Sequence, residues 1–131
     1  MSGAAGAAAA LAAVGARFRL HGRDPASGLD CVGVAALAVR AGGFRGSVPS
    51  GYAIRGGDPA ALAARFDTAL AAADGTRPGD IVLMRSGPAQ LHLGVIVAGG
   101  MVHADAGLRR VVLRPGPPAW PVIGAWRLGE D

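Results

Sequence analysis

The segment Leu29-Asp30-Cys31-Val32-Gly33-Val34-Ala35-Ala36-Leu37-Ala38-Val39-Arg40 sets the reading of the whole chain. Small apolar residues run from Cys31 to Val39, and Gly42-Gly43 stops them as a helix would be stopped. Asp30 is a good cap, so Cys31 falls at the first position of that helix. It is the only cysteine in the sequence, which excludes an internal disulfide and a multi-cysteine zinc site. A lone thiol is either a small buried hydrophobe or a reagent. At a helix start, unpaired N–H groups and the helix dipole favour thiolate and lower the thiol pKa. The same N–H groups can cradle an oxyanion in acyl transfer.

Working outward, residues 4–17 favour helix through Ala and Leu, although Gly6 and Gly15 weaken it. Residues 18–30 read as a loop, with Asp24-Pro25 and Ser27-Gly28 as turn signals. Residues 44–57 also read as a loop. Asp58-Pro59 begins a helix expected to reach about Ala73, with Asp as cap and Pro at the first position. Beyond Pro78-Gly79 the pattern changes to short apolar runs at Ile81–Arg85, Leu91–Val97, Met101–Ala104, Leu108–Arg114 and Val122–Leu128. These read as strands of a meander, with a tight hairpin turn at Ala98-Gly99-Gly100. Helices first and strands second argue an α+β fold, in one domain over residues 1–131.

Composition narrows the partners. The 13 basic residues are all Arg, and the net charge is +4. That charge favours an acidic polymer, but the arginines form no cluster and have no interleaved aromatics, so nucleic-acid binding is not expected. No apolar run reaches the roughly 18 residues of a membrane span, so membrane insertion is not expected either. Ala4–Val14 is apolar but has no basic residue before it, unlike a signal peptide. The product is expected to be made in the cytoplasm without a secretion signal of its own.

Two downstream histidines sit in strand-like runs, where either could take a proton from Cys31. Leu29-Asp30-Cys31-Val32-Gly33 resembles the Asp-Cys-Ser-Gly motif of the NlpC/p60 family of cell-wall cysteine peptidases. Gly79-Asp80-Ile81-Val82-Leu83 is similar to that family's Gly-Asp-Leu strand, and Leu91-His92-Leu93-Gly94-Val95 to its His-x-Gly-Ile motif. Met101-Val102-His103-Ala104 resembles the strand carrying its third polar residue. Phe18-Arg19-Leu20-His21-Gly22 stands where the family has Tyr-x-Trp-Gly-Gly. The resemblance covers Ala4 to Arg114, in the right order. It implies a papain-like fold, N-terminal helices packed on an antiparallel sheet, and hydrolysis of amide bonds in peptidoglycan stem peptides without metal or cofactor. Cys31 would then be the nucleophile, His92 the general base and His103 its orienter. Substrate would meet Asp30, Phe18, His21 and Val32, although Val32 replaces the family's Ser and Phe18 its Tyr. Short forms of this kind resemble peptidases of phage tails and phage-like gene-transfer particles, which implies action on the cell wall after delivery by a particle or secretion system. Two alternatives stay open: a catalytically vestigial tail component, and a thiol acyltransferase on the same fold.

Strand geometry raises a question about the orienter. If Gly99-Gly100 is the two-residue turn, His103 lies opposite Ile96, four residues or about 13 Å along the strand from His92. Contact would then need a bulge, for which Gly94 is a candidate. Asp105 would lie opposite Gly94, about half as far away, and is the alternative orienter. The remaining features have plainer readings. His21 is a surface histidine or a substrate contact. Arg109-Arg110 form an exposed strand edge or a carboxylate-binding pair. Asp80 shapes a turn, and Trp120 and Trp126 serve packing. A metal held by Cys31, His92 and His103 is not expected, because no paired ligand motif is present.

Overall fold

The computed structural model describes residues 1–48 and 57–128; most of the loop read at 44–57 lies outside them. Helix α1 is Gly3–Ala12. A two-residue hairpin follows, β1 (Arg23–Asp24) and β2 (Gly28–Leu29), inside the stretch read as loop. Helix α2 is Cys31–Ala41, capped by Asp30 as its sequence predicts. Helix α3, Pro59–Ala69, stops short of Ala73 because Ala71–Ala72 become a strand, β3. Then come β4 (Ile81–Gly87), β5 (Gln90–Val97), β6 (Gly100–Asp105), β7 (Arg110–Pro115) and β8 (Val122–Arg127).

Helix α1 ends earlier than the Ala-rich run suggests, because the sheet takes the chain that follows it. Gly15 turns at a φ of 94°. Its N–H donates to the Val111 carbonyl at 2.8 Å, Val111 N–H returns to Ala16 at 2.9 Å, and Phe18 N–H reaches Arg109 at 2.9 Å. Residues 15–18 thus satisfy their backbone along the edge of β7. Gly6, unfavourable for helix propensity, lets α1 lie against α2: a Cβ there would be 2.8 Å from the Ala38 carbonyl oxygen.

The main sheet is antiparallel, in the order β3-β8-β4-β5-β6-β7. It is not the expected meander, since β8 returns to pair with β4 instead of continuing beside β7. The reason is burial. Ile81, Val82, Leu83 and Met84 are all buried, so β4 has two apolar faces and takes a central place. Strand β7 exposes Arg110, Leu113 and Arg114 and stays near the edge. To reach β4, the connection over residues 116–121 crosses the sheet.

Each face of the sheet carries its own core. Leu83, Leu91, Leu93, Val95 and Val102 pack against Val34, Ala35 and Ala38 of α2. On the other face Val82, Met84, Ile96, Met101 and Ala125 form a second cluster, with Trp120 against it. The C-terminal end of β8 is pinned to its surroundings. Fully buried Asp80 receives two hydrogen bonds from Arg127, each of 2.8 Å, and also accepts the Arg77 N–H that closes its turn. Trp126 stacks on Phe66 of α3 at 4.7 Å and donates to Asp67 at 2.8 Å.

Candidate active site

Asp30 builds the loop that presents Cys31. Its Oδ1 accepts from Gly33 N–H at 2.8 Å and from the Arg23 guanidinium at 2.8 Å, and its Oδ2 accepts from His21 N–H at 2.7 Å. The last bond holds His21 at a φ of 62°, a conformation a non-glycine residue rarely adopts. Thus the carboxylate expected to meet substrate is occupied by three donors of its own chain. The His21 side chain is exposed and does not line the cavity described below; its contribution is its backbone. A Cβ on Gly33 would collide with the Gly22 carbonyl, so the loop lies directly on the first turn of α2. Val32 is buried in the helix-side core and lines a separate groove with Arg23 and Arg40.

The two histidines meet. Strands β5 and β6 pair as Val95↔Val102, Ile96↔Met101 and Val97↔Gly100. The turn is therefore Ala98-Gly99, with Gly99 at a φ of 77°, and Gly100 already belongs to β6. This shifts the register by two residues from the expectation above. Continued along the strands, it sets His103 opposite Gly94, one step from His92 on the same face. Nε2 of His92 lies 2.9 Å from Nδ1 of His103, with no need of a bulge at Gly94. The same count sets Asp105 opposite His92, but Asp105 Oδ1 accepts from Leu108 N–H at 2.9 Å and shapes the next turn. His103, not Asp105, is the hydrogen-bond partner of the His92 ring. The space over Gly94 belongs to the second core: a Cβ there would be 2.5 Å from Met101 Sδ.

One cavity of about 340 Å³ gathers Cys31, His92 and His103, with Asp30, Phe18, Leu20, Ser86, Gln90, Asp105 and Trp120 among its other walls. Trp120 is the residue sequence reasoning missed; a tryptophan between Pro117-Pro118 and Pro121 was its one local signal. Arg109, at a φ of 60°, and Arg110 are exposed and do not line this cavity. Among the described residues no cluster of three His, Cys, Asp or Glu side chains could hold a metal, and no helix is long and apolar enough to cross a membrane.

The electrostatics differ from those of an open helix terminus. Burial pushes the Cys31 thiol up to about 11, and the Asp30 carboxylate adds to the effect. The N–H groups of Leu93, Val32 and Cys31 oppose it and do not win. Burial, then the neighbouring His103, pushes the His92 imidazole down to about 4, against the pull of Asp105. His103 is lowered too, first by burial and then by Arg114, with Asp105 opposing. The resting site therefore holds a neutral thiol and neutral imidazoles. The expected thiolate is missing because desolvation outweighs a helix dipole.

No family model matches the sequence, and no curated protein matches it. Solved structures do. NlpC1 from Trichomonas vaginalis superposes with a TM-score of 0.72 at 19% identity, over 96% of this chain and 44% of that one. NlpC2 from the same organism gives 0.73 at 16%, over 96% of this chain and 46% of that one. The NlpC/p60 domain of the peptidoglycan hydrolase SagA gives 0.62 at 21%, over 88% of this chain and 90% of that domain. This chain thus spans less than half of the two Trichomonas proteins and nearly all of the SagA domain. Its fold is the α+β NlpC/p60 fold.

Proposed function

We propose that this chain is a cysteine peptidase that hydrolyses amide bonds in peptidoglycan stem peptides, with Cys31 as nucleophile, His92 as general base and His103 holding that base. The observation that carries the reading is the 2.9 Å bond between His92 and His103 in the cavity that also contains Cys31. With Nε2 engaged by His103, the nitrogen left to His92 for the thiol proton is Nδ1. That fixes the tautomers: His92 donates from Nε2, and His103 carries its own proton on Nε2.

Because the resting pair is neutral, the proton leaves Cys31 as sulfur attacks the scissile carbonyl, and imidazolium forms only then. The N–H groups that approach the sulfur, from Cys31, Val32 and Leu93, would be the donors to the developing oxyanion on this reading. Imidazolium returns its proton to the leaving amine, an acyl-enzyme remains on Cys31, and a water activated by His92 hydrolyses it. The substrate class draws on the resemblance at Asp30-Cys31 and His92 and on the likeness to a peptidoglycan hydrolase domain.

Digestion of purified sacculi, with mass analysis of released peptides, tests the proposal. Cys31→Ala should release nothing. His92→Ala should lose at least about a hundredfold, the low end of general acid–base effects. Full activity in either variant refutes the assignment.

A further inference from the structure

Three aromatic rings meet at nearly right angles beside the cavity. The His92 and His103 ring centres are 5.0 Å apart with planes at 87°. Trp120 stands 5.5 Å from His92 at 79° and 5.6 Å from His103 at 88°. The indole therefore touches both members of the pair. It arrives there through the topology: the crossing that carries β8 back to β4 has to pass over this face, and Trp120 lies on it.

That crossing is held at both ends. Gly116 N–H donates to Gly99 at the β5–β6 turn at 2.9 Å, and Arg85 N–H of β4 donates to the Pro121 carbonyl at 2.9 Å. Pro117, Pro118 and Pro121 restrict the backbone between them. The indole rests on the cluster that contains Met84 and Met101. It is an anchored plug, seated on that cluster and facing the histidine pair and the cavity.

The histidine pair needs such a part. Rotation about the last side-chain bond of histidine is soft, and one hydrogen bond between two imidazoles does not fix the tilt of either ring. Edge-to-face ring contacts do, because they favour one tilt of each ring against its neighbour. They also cover one side of the pair against water, which would compete for the bond and admit the other tautomer, with Nδ1 of His92 protonated and unable to accept from Cys31. We propose that Trp120 is a positioning residue for the general base, locking the relative orientation and hydration of His92 and His103 from the rear face of the sheet.

This inference rests on the hydrolase reading for its rate consequence, but not for its structural one. The other groups that act on the pair are Asp105 of β6 and Arg114 of β7, and Cys31 and Asp30 line the same cavity. Replacing Trp120 leaves all of these groups in the chain, so a change in imidazole titration reports the loss of the indole.

The experiment compares Trp120→Leu and Trp120→Phe with the wild type. The His92 titration midpoint is read by NMR, and hydrolysis of a stem-peptide substrate is resolved into kcat and KM. In Trp120→Leu the midpoint should rise by at least a full pH unit toward the ordinary histidine value. Its kcat should fall at least tenfold, with KM within about threefold. Trp120→Phe keeps a ring and should retain most of both properties. An unchanged midpoint and kcat in Trp120→Leu overturns the inference. So does a rise in KM alone, which would make the indole a substrate contact, and so does loss of folding in both variants, which would make it a core residue. If the wild type cleaves no peptide while the midpoint still shifts, the hydrolase reading fails and the positioning role stands.

Discussion

Acid should destabilise this protein through its histidine pair, and the amount can be worked from the site. His92 sits at about 4, against an ordinary value of 6.5. The unfolded chain therefore binds a proton that the folded chain refuses as pH falls from 6.5 toward 4. Stability is complete above 6.5 and is lost through that window. The full shift corresponds to about 3 kcal/mol, and at pH 5 the loss is about 2 kcal/mol. His103 is lowered as well and adds loss of the same sign; the two titrate as a coupled pair. Most carboxylates stay ionised at pH 5, which isolates the effect. Urea unfolding at pH 7.5 and pH 5.0 should show the wild type losing about 2 kcal/mol more than His92→Gln on acidification. Equal losses within about 0.5 kcal/mol, or an NMR midpoint for His92 at or above 6.5, would refute the reasoning.

Other consequences follow from the same geometry. Alkylation of Cys31 by iodoacetamide should be slow at pH 7 and rise with a midpoint above the usual thiol range; a midpoint below 8 would mean that the helix terminus outweighs burial. Asp30→Ala removes a helix cap and leaves the His21 and Gly33 N–H groups without their acceptor, so chemical denaturation should show a loss of about 2–3 kcal/mol. Gly33→Ala places a methyl group on the Gly22 carbonyl, and should abolish activity while far-UV circular dichroism stays near wild type. Gly94→Ala should lower the thermal midpoint, because Met101 and Met84 fill the space that its Cβ would take.

What the sequence made legible was local. The Asp30 cap, the Gly42-Gly43 stop and the Asp58-Pro59 start are each decided within one turn of chain, and both helices begin where those signals put them. The strands could be located because their apolar runs are broken by Gly, Pro and Asp. The register was another matter. Ala98-Gly99-Gly100 offers two ways to turn in two residues, and they differ by two positions in register. The choice falls to Ala98-Gly99, with Met101 set opposite Ile96 and covering Gly94, contacts that belong to the folded sheet. On that choice hangs whether His92 reaches His103. The place of β8 was legible in principle: four consecutive apolar residues at Ile81-Val82-Leu83-Met84 demand cover on both faces, which an edge position cannot give.

The thiol shows why a motif identifies a site better than it identifies a charge state. Cys31 has the helix terminus that the sequence promised, and the N–H groups of that terminus do approach its sulfur. Yet the same packing that positions Cys31, with Leu93 behind it and the 19–30 loop laid over its first turn, also removes water. Desolvation then outweighs the amides. A site so arranged is not a preformed ion pair. On the reading proposed above, its donors act when a carbonyl oxygen gains charge, since they are fixed in place and need no reorganisation at that moment. On the same reading the burden of generating thiolate passes to His92. A base with a low proton affinity at rest has to gain affinity as substrate enters, and orientation against Cys31 then counts for more than resting pKa. On that reading the groups that fix His92 in place, His103 at its Nε2 and Trp120 against its ring, carry a share of the catalysis that the helix terminus at Cys31 cannot supply.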